Sequence, residues 1–365
     1  MSTMAAAATS DRVDRLLARL PRAGADVMLV TDLVNVRYLT GYTGTNGIAL
    51  IGAQTRSFLT DFRYVEQAAE QVDSSFDRLE APQDLLEAVE DLLPEGSCRL
   101  GFEDEHLSVR DHARLRELFA ERVGLVAVPG LVEELRMVKD DEEITRIRAA
   151  AALADAALAD VLGQGLVGRT EREVALAVEV AMRARGAERP SFETIVAAGA
   201  HGALPHASPR DVRIETSQLV VIDWGAQLDG YCSDCTRTVA TGHPGAPVQE
   251  VYALTLAAQV AGLEGVRPGV SGCEVDASAR RMIDAGGHGE HFGHGLGHGV
   301  GLEIHEAPRL SPRSEATLEP GNVVTVEPGI YLPGEFGVRI EDLVVVRAEG
   351  CDILTGLPKS LTVVD

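Results

Sequence analysis

Short apolar runs alternate with helix-period segments along the first third of the chain. Asp26 to Thr31, Gly47 to Ile51 and Ser57 to Thr60 have the pattern of strands, while Pro82 to Leu93 and Ser108 to Phe119 repeat their apolar residues at helical spacing. Together they predict a small α/β domain. The pattern breaks at Val128-Pro129-Gly130, and the charged segment Glu133 to Arg148 leads into a long helix with Ile144, Ile147, Leu158 and Val161 on its apolar positions. A domain boundary is therefore expected near residue 130, dividing the chain into 1–130 and 131–365.

Beyond that point, Thr170-Glu171-Arg172-Glu173 is a capping box, whose Thr and Glu side chains satisfy free N–H groups of a helix, and Gly186 offers its stop. Val248 to Leu263 and Glu274 to Ala285 also have helical spacing. Between and after them lie β-rich runs at Leu219 to Trp224, Tyr231 to Ala240, Asn322 to Tyr331 and Val338 to Val346. Helices and strands are partly segregated, so the second domain is expected to be α+β. No short-period repeat or low-complexity segment interrupts the order.

Composition narrows the function. The 365 residues, 45% hydrophobic and 24% charged, suit a globular chain of two domains and exclude a disordered or fibrous one. Fifty-six acidic residues against thirty-three basic ones leave a net charge of −23, which repels phosphate backbones and anionic lipid, so neither nucleic acid nor membrane is an expected partner. Met1 to Ser10 has no basic n-region, and no stretch approaches the roughly 18 apolar residues of a membrane helix. The five cysteines, Cys98, Cys232, Cys235, Cys273 and Cys351, do not suggest a disulfide framework, and a reducing, cytoplasmic location fits best. Only Lys139 and Lys359 are lysines, a bias with no functional reading of its own.

Several carboxylates stand where a strand should be apolar. Asp223 ends the run Leu219-Val-Val-Ile-Asp, and Asp234 lies inside Gly230-Tyr-Cys-Ser-Asp-Cys-Thr-Arg-Thr238; either could simply occupy a turn or pair with Arg237. The same oddity recurs at Glu327 in Val323-Val-Thr-Val-Glu-Pro-Gly and at Glu341 in Val338-Arg-Ile-Glu-Asp-Leu. A buried carboxylate costs several kcal/mol, of order, unless it is paired, hydrogen-bonded or bound to a metal. Between the two pairs, Phe292-Gly-His294-Gly-Leu-Gly-His298-Gly-Val-Gly-Leu-Glu-Ile-His305 alternates histidine with glycine, which lets backbone approach a ligand closely and has little core value. His294, His298 and His305 are thus candidate functional residues, and His288 and His291 are expected at a solvated surface. Two Asp, His and two Glu form a hard ligand set for Mn²⁺ or Co²⁺, with Zn²⁺ or Fe²⁺ as alternatives. Five ligands exceed one ion with an open position, so two ions about 3.5–4 Å apart are expected, a pair that hydrolyses amides or phosphoesters. The Cys232-Ser-Asp-Cys235 spacing lacks a second cysteine pair and is read as incidental.

In order and spacing, Asp223, Asp234, His298, Glu327 and Glu341 resemble the metal ligands of the pita-bread metallopeptidases, the family of methionine aminopeptidase, aminopeptidase P and prolidase. The likeness covers about residue 134 to 365, and Asn35-Val-Arg-Tyr-Leu-Thr-Gly41 in the first 130 residues looks like the creatinase-type N-terminal domain of the Xaa-Pro branch. The resemblance implies a pita-bread catalytic domain after a smaller α/β domain, and a homodimer. It also implies that Asp223 chelates one ion, Asp234 and Glu341 bridge both, and His298 with Glu327 binds the second, Glu327 also moving the proton. His206 in Ala203-Leu-Pro-His matches a family histidine of the proline pocket, and His294 and His305 match two further active-site histidines. Arg339 matches an arginine beside the last ligand and is taken, with Arg309, as substrate-binding. Arg309 resembles the prolidase arginine that pairs with a dipeptide's C-terminal carboxylate; otherwise it pairs with Glu306 or another acid. The expected substrates are small peptides with proline second, cleaved by an Xaa-Pro dipeptidase using two divalent ions, Mn²⁺ first and Co²⁺ or Zn²⁺ as alternatives. An aminopeptidase P acting on longer peptides, a metal-free creatinase-like hydrolase, a phosphoesterase and a ligand-binding pseudoenzyme are the competing functions; the intact five-ligand set opposes the creatinase-like and pseudoenzyme readings.

Overall fold

The computed structural model describes residues 3–119 and 122–364, so Met1 and Ser2 of the N-terminal stretch lie outside the described residues. The chain forms two compact units, Met1–Arg136 and Met137–Asp365. In the first, a six-stranded sheet has the order β4-β3-β2-β1-β5-β6, from β1 (Val27–Val30), β2 (Ile48–Gly52), β3 (Thr55–Thr60), β4 (Asp77–Glu80), β5 (Cys98–Glu103) and β6 (Val123–Val128). β1 runs parallel to β5 and antiparallel to β2. All four residues of β1 are buried, as expected of a strand covered on both faces.

Five helices accompany this sheet: α1 (Thr3–Ala23), α2 (Leu33–Thr40), α3 (Val65–Gln71), α4 (Val109–Leu118) and α5 (Leu131–Arg136). α2 starts at Asp32, whose side chain accepts from the Val34 N–H, and stops at Gly41, where φ is 82°, a left-handed conformation that favours glycine. The fully buried Asn35 explains much of the Asn35 to Gly41 motif. Its amide donates to Glu103 (2.8 Å) and Glu133 and accepts from Arg136 (2.8 Å), while Glu103 also receives the N–H groups of Thr31 and Asp32. The Pro82 to Leu93 segment differs from expectation: instead of one helix it forms two short 3-10 turns, Leu85–Ala88 and Glu90–Leu92. Leu85, Val89 and Leu93 are still buried at helical spacing. The acids Asp84, Glu87, Glu90 and Asp91, with no basic residue among them, oppose a longer helix.

The second unit is α+β. Its helices are α6 (Asp141–Leu162), α7 (Glu171–Ala184), α8 (Ala246–Gly265) and α9 (Gly272–Ala285). Capping boxes at Asp140/Glu143, Thr170/Glu173 and Ser271/Glu274 start three of them. The charged segment read as the approach to one helix is therefore divided, α5 ending at Arg136 and α6 restarting behind the Asp140 cap.

Strands β7 (Arg189–Pro190), β10 (Ala226–Leu228) and β11 (Tyr231–Cys232) form one small sheet, and β8 (Ile195–Ala198), β9 (Gln218–Trp224) and β12 (Cys235–Thr241) another, in the order β12-β9-β8. A five-stranded sheet follows, with the order β14-β13-β15-β18-β19, from β13 (Gly297–Gly299), β14 (Glu306–Leu310), β15 (Val323–Val326), β18 (Asp342–Val346) and β19 (Cys351–Ile353); β16 (Gly329–Leu332) and β17 (Phe336–Arg339) form a hairpin. Two cores result. α6 and α7 pack Leu158, Val161, Val178 and Met182 against Val220, Ile222 and Trp224, and α8 and α9 pack Tyr252, Ala258, Val275 and Ile283 with Leu296, Val324, Val326 and Val344. Three of the long β runs in the sequence are interrupted, at Ser233-Asp234, Glu327-Pro328 and Ile340-Glu341. At each interruption sits a carboxylate.

Replacing Asn35 by Ala removes a donor from Glu103 inside the first unit, and an orphaned buried polar group typically costs about 1–3 kcal/mol. The N35A chain is therefore expected to unfold at lower denaturant concentration than wild type, read by circular dichroism; an unchanged midpoint would show that Asn35 is dispensable.

Candidate metal centre

In β9, Ile222 and Trp224 fill the core, so strand alternation turns Asp223 to the opposite face. There it lies opposite Thr236 of β12. The Thr236 hydroxyl donates to Glu341 Oε2 (2.7 Å) and accepts from Arg339 Nε (2.9 Å), and Arg339 also donates to Asp223 Oδ2 (2.7 Å). Asp223, Asp234 and Glu341 bring carboxylate oxygens within 4.8 Å of one another. Arg237, a possible partner for either Asp from sequence, instead pairs with Asp342 (2.8 Å) and donates to the Glu341 carbonyl.

His298 reaches the same point from β13. Its neighbours must be glycine: a Cβ on Gly297 would lie 2.0 Å from the Thr325 carbonyl oxygen, and one on Gly299 would lie 2.2 Å from that of Ala307. Thr325 ties this strand to the next carboxylate, accepting from the His298 N–H (3.1 Å) and donating to Glu327 Oε1 (3.1 Å). The His298 Nδ1 faces the Gly299 carbonyl at 3.1 Å, which assigns the ring proton there. Nε2 then presents a lone pair to Asp234 Oδ2 (3.5 Å) and Glu327 Oε1 (3.4 Å).

That arrangement is acceptor facing acceptor. Burial pushes His298 down to about 3, so the ring stays neutral and cannot donate to the carboxylates. Burial raises Asp223, against the pull of Arg339, and it raises Glu327 to about 7. Burial, reinforced by the neighbouring carboxylates, holds Asp234 and Glu341 well above the usual carboxylate range. Asp223 Oδ1 and Glu341 Oε1 are buried with no hydrogen-bond donor among the described residues. A cation satisfies all of these lone pairs at once, and the hard oxygen and imidazole donors suit divalent ions of the Mn²⁺, Co²⁺ and Zn²⁺ type.

A cavity of about 500 Å³ opens onto this cluster, lined by all ten residues singled out from sequence: Asp223, Asp234, His298, Glu327, Glu341, His206, His294, His305, Arg309 and Arg339. Their geometry separates them. His206, His305 and Arg309 are exposed on its walls, His305 with its ring edge-on to His298 at 4.5 Å. His294 is held at both nitrogens, by the Gly295 carbonyl (2.8 Å) and the Tyr331 hydroxyl (2.9 Å), and burial lowers it to about 4. Arg339 is buried and directs its guanidinium to Asp223, Thr236, the Tyr331 hydroxyl (2.9 Å) and the Pro205 carbonyl (3.2 Å). It therefore touches Asp223 and Thr236 while also lining the cavity. Glu306 pairs with Lys139 (2.8 Å) rather than Arg309.

Sequence patterns missed Tyr331, Thr236 and Thr325, whose hydroxyls connect the site, and the apolar wall Phe192, Ile195 and Ile304. Only strand pairing reveals the two threonines, because nothing distinguishes them locally from other strand threonines. His288 and His291 are half-buried against each other outside this cavity. Cys232 and Cys235 are buried free thiols.

The family model described as Metallopeptidase family M24 matches residues 145–348, and that of the Creatinase/Prolidase N-terminal domain matches residues 12–138. An Xaa-Pro dipeptidase of Pyrococcus horikoshii is 36% identical over 357 residues, covering 96% of this chain and 99% of the relative. The solved structure of an Xaa-Pro dipeptidase from Bacillus anthracis superimposes with a TM-score of 0.94 at 42% identity, covering 98% of this chain and 100% of that one. That of an X-Pro aminopeptidase from Thermotoga maritima gives 0.89 at 38% identity, covering 97% and 100%.

For metal-free protein the raised carboxylates fix the sign of a pH effect. A carboxyl whose folded pKa lies above its unfolded value loses stability as pH rises from the unfolded value, near 4.3 for Glu, to the folded one, about 7 for Glu327. Chelator-treated protein should therefore melt at higher temperature at pH 6 than at pH 8, and Glu327→Gln should flatten the difference. A melting temperature that rises with pH over this interval in both proteins would refute the electrostatic account.

Proposed function

The chain belongs to metallopeptidase family M24 and carries a Creatinase/Prolidase N-terminal domain, and from that premise we propose that it is an Xaa-Pro dipeptidase using two divalent ions, Mn²⁺ foremost. The observation that carries the dipeptidase assignment is Arg309, whose guanidinium lines the cavity with no hydrogen bond or ion pair among the described residues, its neighbour Glu306 being engaged by Lys139. A guanidinium at a partly dry wall forms a charge-assisted, bidentate pair with a carboxylate. In a dipeptide that carboxylate belongs to the proline itself.

Asp223, Asp234, His298, Glu327 and Glu341 would hold the ions. Bound there, two divalent ions polarise the scissile carbonyl and lower the pKa of a water molecule. Around them the protein supplies proton transfer and charge stabilisation. Glu327 accepts the proton of the attacking water and returns it to the proline nitrogen as the C–N bond breaks, releasing Xaa and proline. His206 and His305 donate to the developing oxyanion from the exposed walls. Arg339 and Thr236 keep Asp223 and Glu341 in place throughout. An Xaa-Pro bond has no N–H, so this cavity need offer no acceptor at that position.

No described helix is long and apolar enough to cross a membrane. Five free thiols support a reducing, cytoplasmic location. The proposed homodimer rests on the family resemblance, and light scattering on the purified protein tests it.

Elemental analysis is expected to find two divalent ions per chain, with chelation abolishing activity reversibly; full peptidase activity in rigorously metal-free protein would exclude the assignment. His206→Ala and His305→Ala are expected to retain both ions while losing turnover by about 10²–10³, the usual effect of one oxyanion donor. Loss of metal in either variant would make that histidine a ligand. Arg309→Ala should lower kcat/KM for an Xaa-Pro dipeptide by a factor equivalent to about 2–5 kcal/mol and affect the corresponding tripeptide much less, since its carboxylate lies one residue further on. Equal losses on both substrates would point instead to an aminopeptidase acting on longer peptides.

A further inference from the structure

The loop that carries His206 is underlain by a carboxylate with no part in the chemistry above. Glu171, the first residue of α7, has a side chain only 1% exposed. It accepts the N–H of Ala198 at the end of β8 (2.9 Å) and the N–H of Arg210 (2.9 Å). It also accepts from His201 Nδ1 (3.0 Å to each oxygen) and from the Arg210 guanidinium (3.2 Å to each). His201 and Arg210 lie on either side of His206 in the chain. A further tie crosses to the metal centre, where the Pro205 carbonyl accepts from Arg339.

We propose that Glu171 is a positioning residue for His206, gripping both arms of its loop so that the imidazole meets the cavity at a fixed place. This rests on the assignment of His206 as an oxyanion donor. Both carboxylate oxygens are needed, because each receives several donors. A glutamine offers one oxygen, and its NH₂ would face the N–H of Ala198 or Arg210, donor against donor. Partners that hold a metal ligand from behind typically change affinity or activity 10–100-fold when removed, and the same order is expected behind an oxyanion donor.

The test compares Glu171→Gln, His206→Ala and the double variant, each Mn²⁺-loaded, on an Xaa-Pro dipeptide, with metal content measured. Glu171→Gln is expected to lower kcat about 10–100-fold at unchanged metal content, yet to change it less than about twofold in the His206→Ala background, because two groups acting as one unit are not additive. Arg210→Ala, a change at a half-exposed side chain, is expected to show a smaller loss with the same suppression, and covers the case in which Glu171→Gln fails to fold. In metal-free protein, the Ala198 and Arg210 amides should exchange with deuterium faster in Glu171→Gln. Independent, multiplicative losses in the double variant would overturn the positioning role. So would wild-type kcat in Glu171→Gln beside an impaired His206→Ala. Wild-type kcat in His206→Ala would overturn the oxyanion assignment and the positioning role with it.

Discussion

Four carboxylates and a neutral imidazole meet in a buried space, and their mutual repulsion is the constraint that most of the second unit answers. Removing several like charges from water carries a large desolvation penalty unless counter-charges and donors meet every lone pair. Arg339 supplies one counter-charge inside the protein, and the hydroxyls of Thr236 and Thr325 each donate to one carboxylate. Two buried oxygens, Asp223 Oδ1 and Glu341 Oε1, have no donor among the described residues. The site is thus built incomplete, and a metal-dependent hydrolase is the chemistry that completes it.

Precise placement of those groups needs a rigid frame, and buried ion pairs supply part of it. Arg237 holds the backbone at Glu341 and pairs with Asp342, which also receives Lys359 (2.8 Å) and the amide of Gln259 (2.9 Å). Lys139 holds Glu306 beside His305 and, three residues on, Arg309. Both lysines of the chain therefore sit in ion pairs next to functional segments. Such pairs add little net stability over an apolar core, but losing one partner strands a buried charge, so they fix geometry more than they raise stability.

The first unit shows how one polar side chain can organise a fold. Asn35 joins Glu103 of β5 to α5 by its amide, and Glu103 in turn satisfies the N–H groups that follow β1. Burial raises the Glu103 carboxyl while those N–H groups lower it, the balance expected of a carboxylate used as a structural acceptor.

Local chemistry written in the sequence determined the helix starts, the main strands and the five candidate donor residues. The Thr170 box caps α7 because a Thr hydroxyl and a Glu three residues later satisfy N–H groups within one turn. Asp223, Asp234, Glu327 and Glu341 stand out because a charge in an apolar run is anomalous wherever the strand ends up. Tertiary structure alone decided how those donors meet. Strand register sets Thr236 against Asp223, breaks in three strands fall at carboxylates, and the closeness of backbone around Gly297 and Gly299 leaves no room for a side chain on either side of His298. It also joined Arg339 to Asp223 and Thr236 as well as to the cavity, and made two turns of the Pro82 to Leu93 segment. Both outcomes depend on contacts between residues far apart in the chain or on a balance of like charges along it, which apolar periodicity does not register.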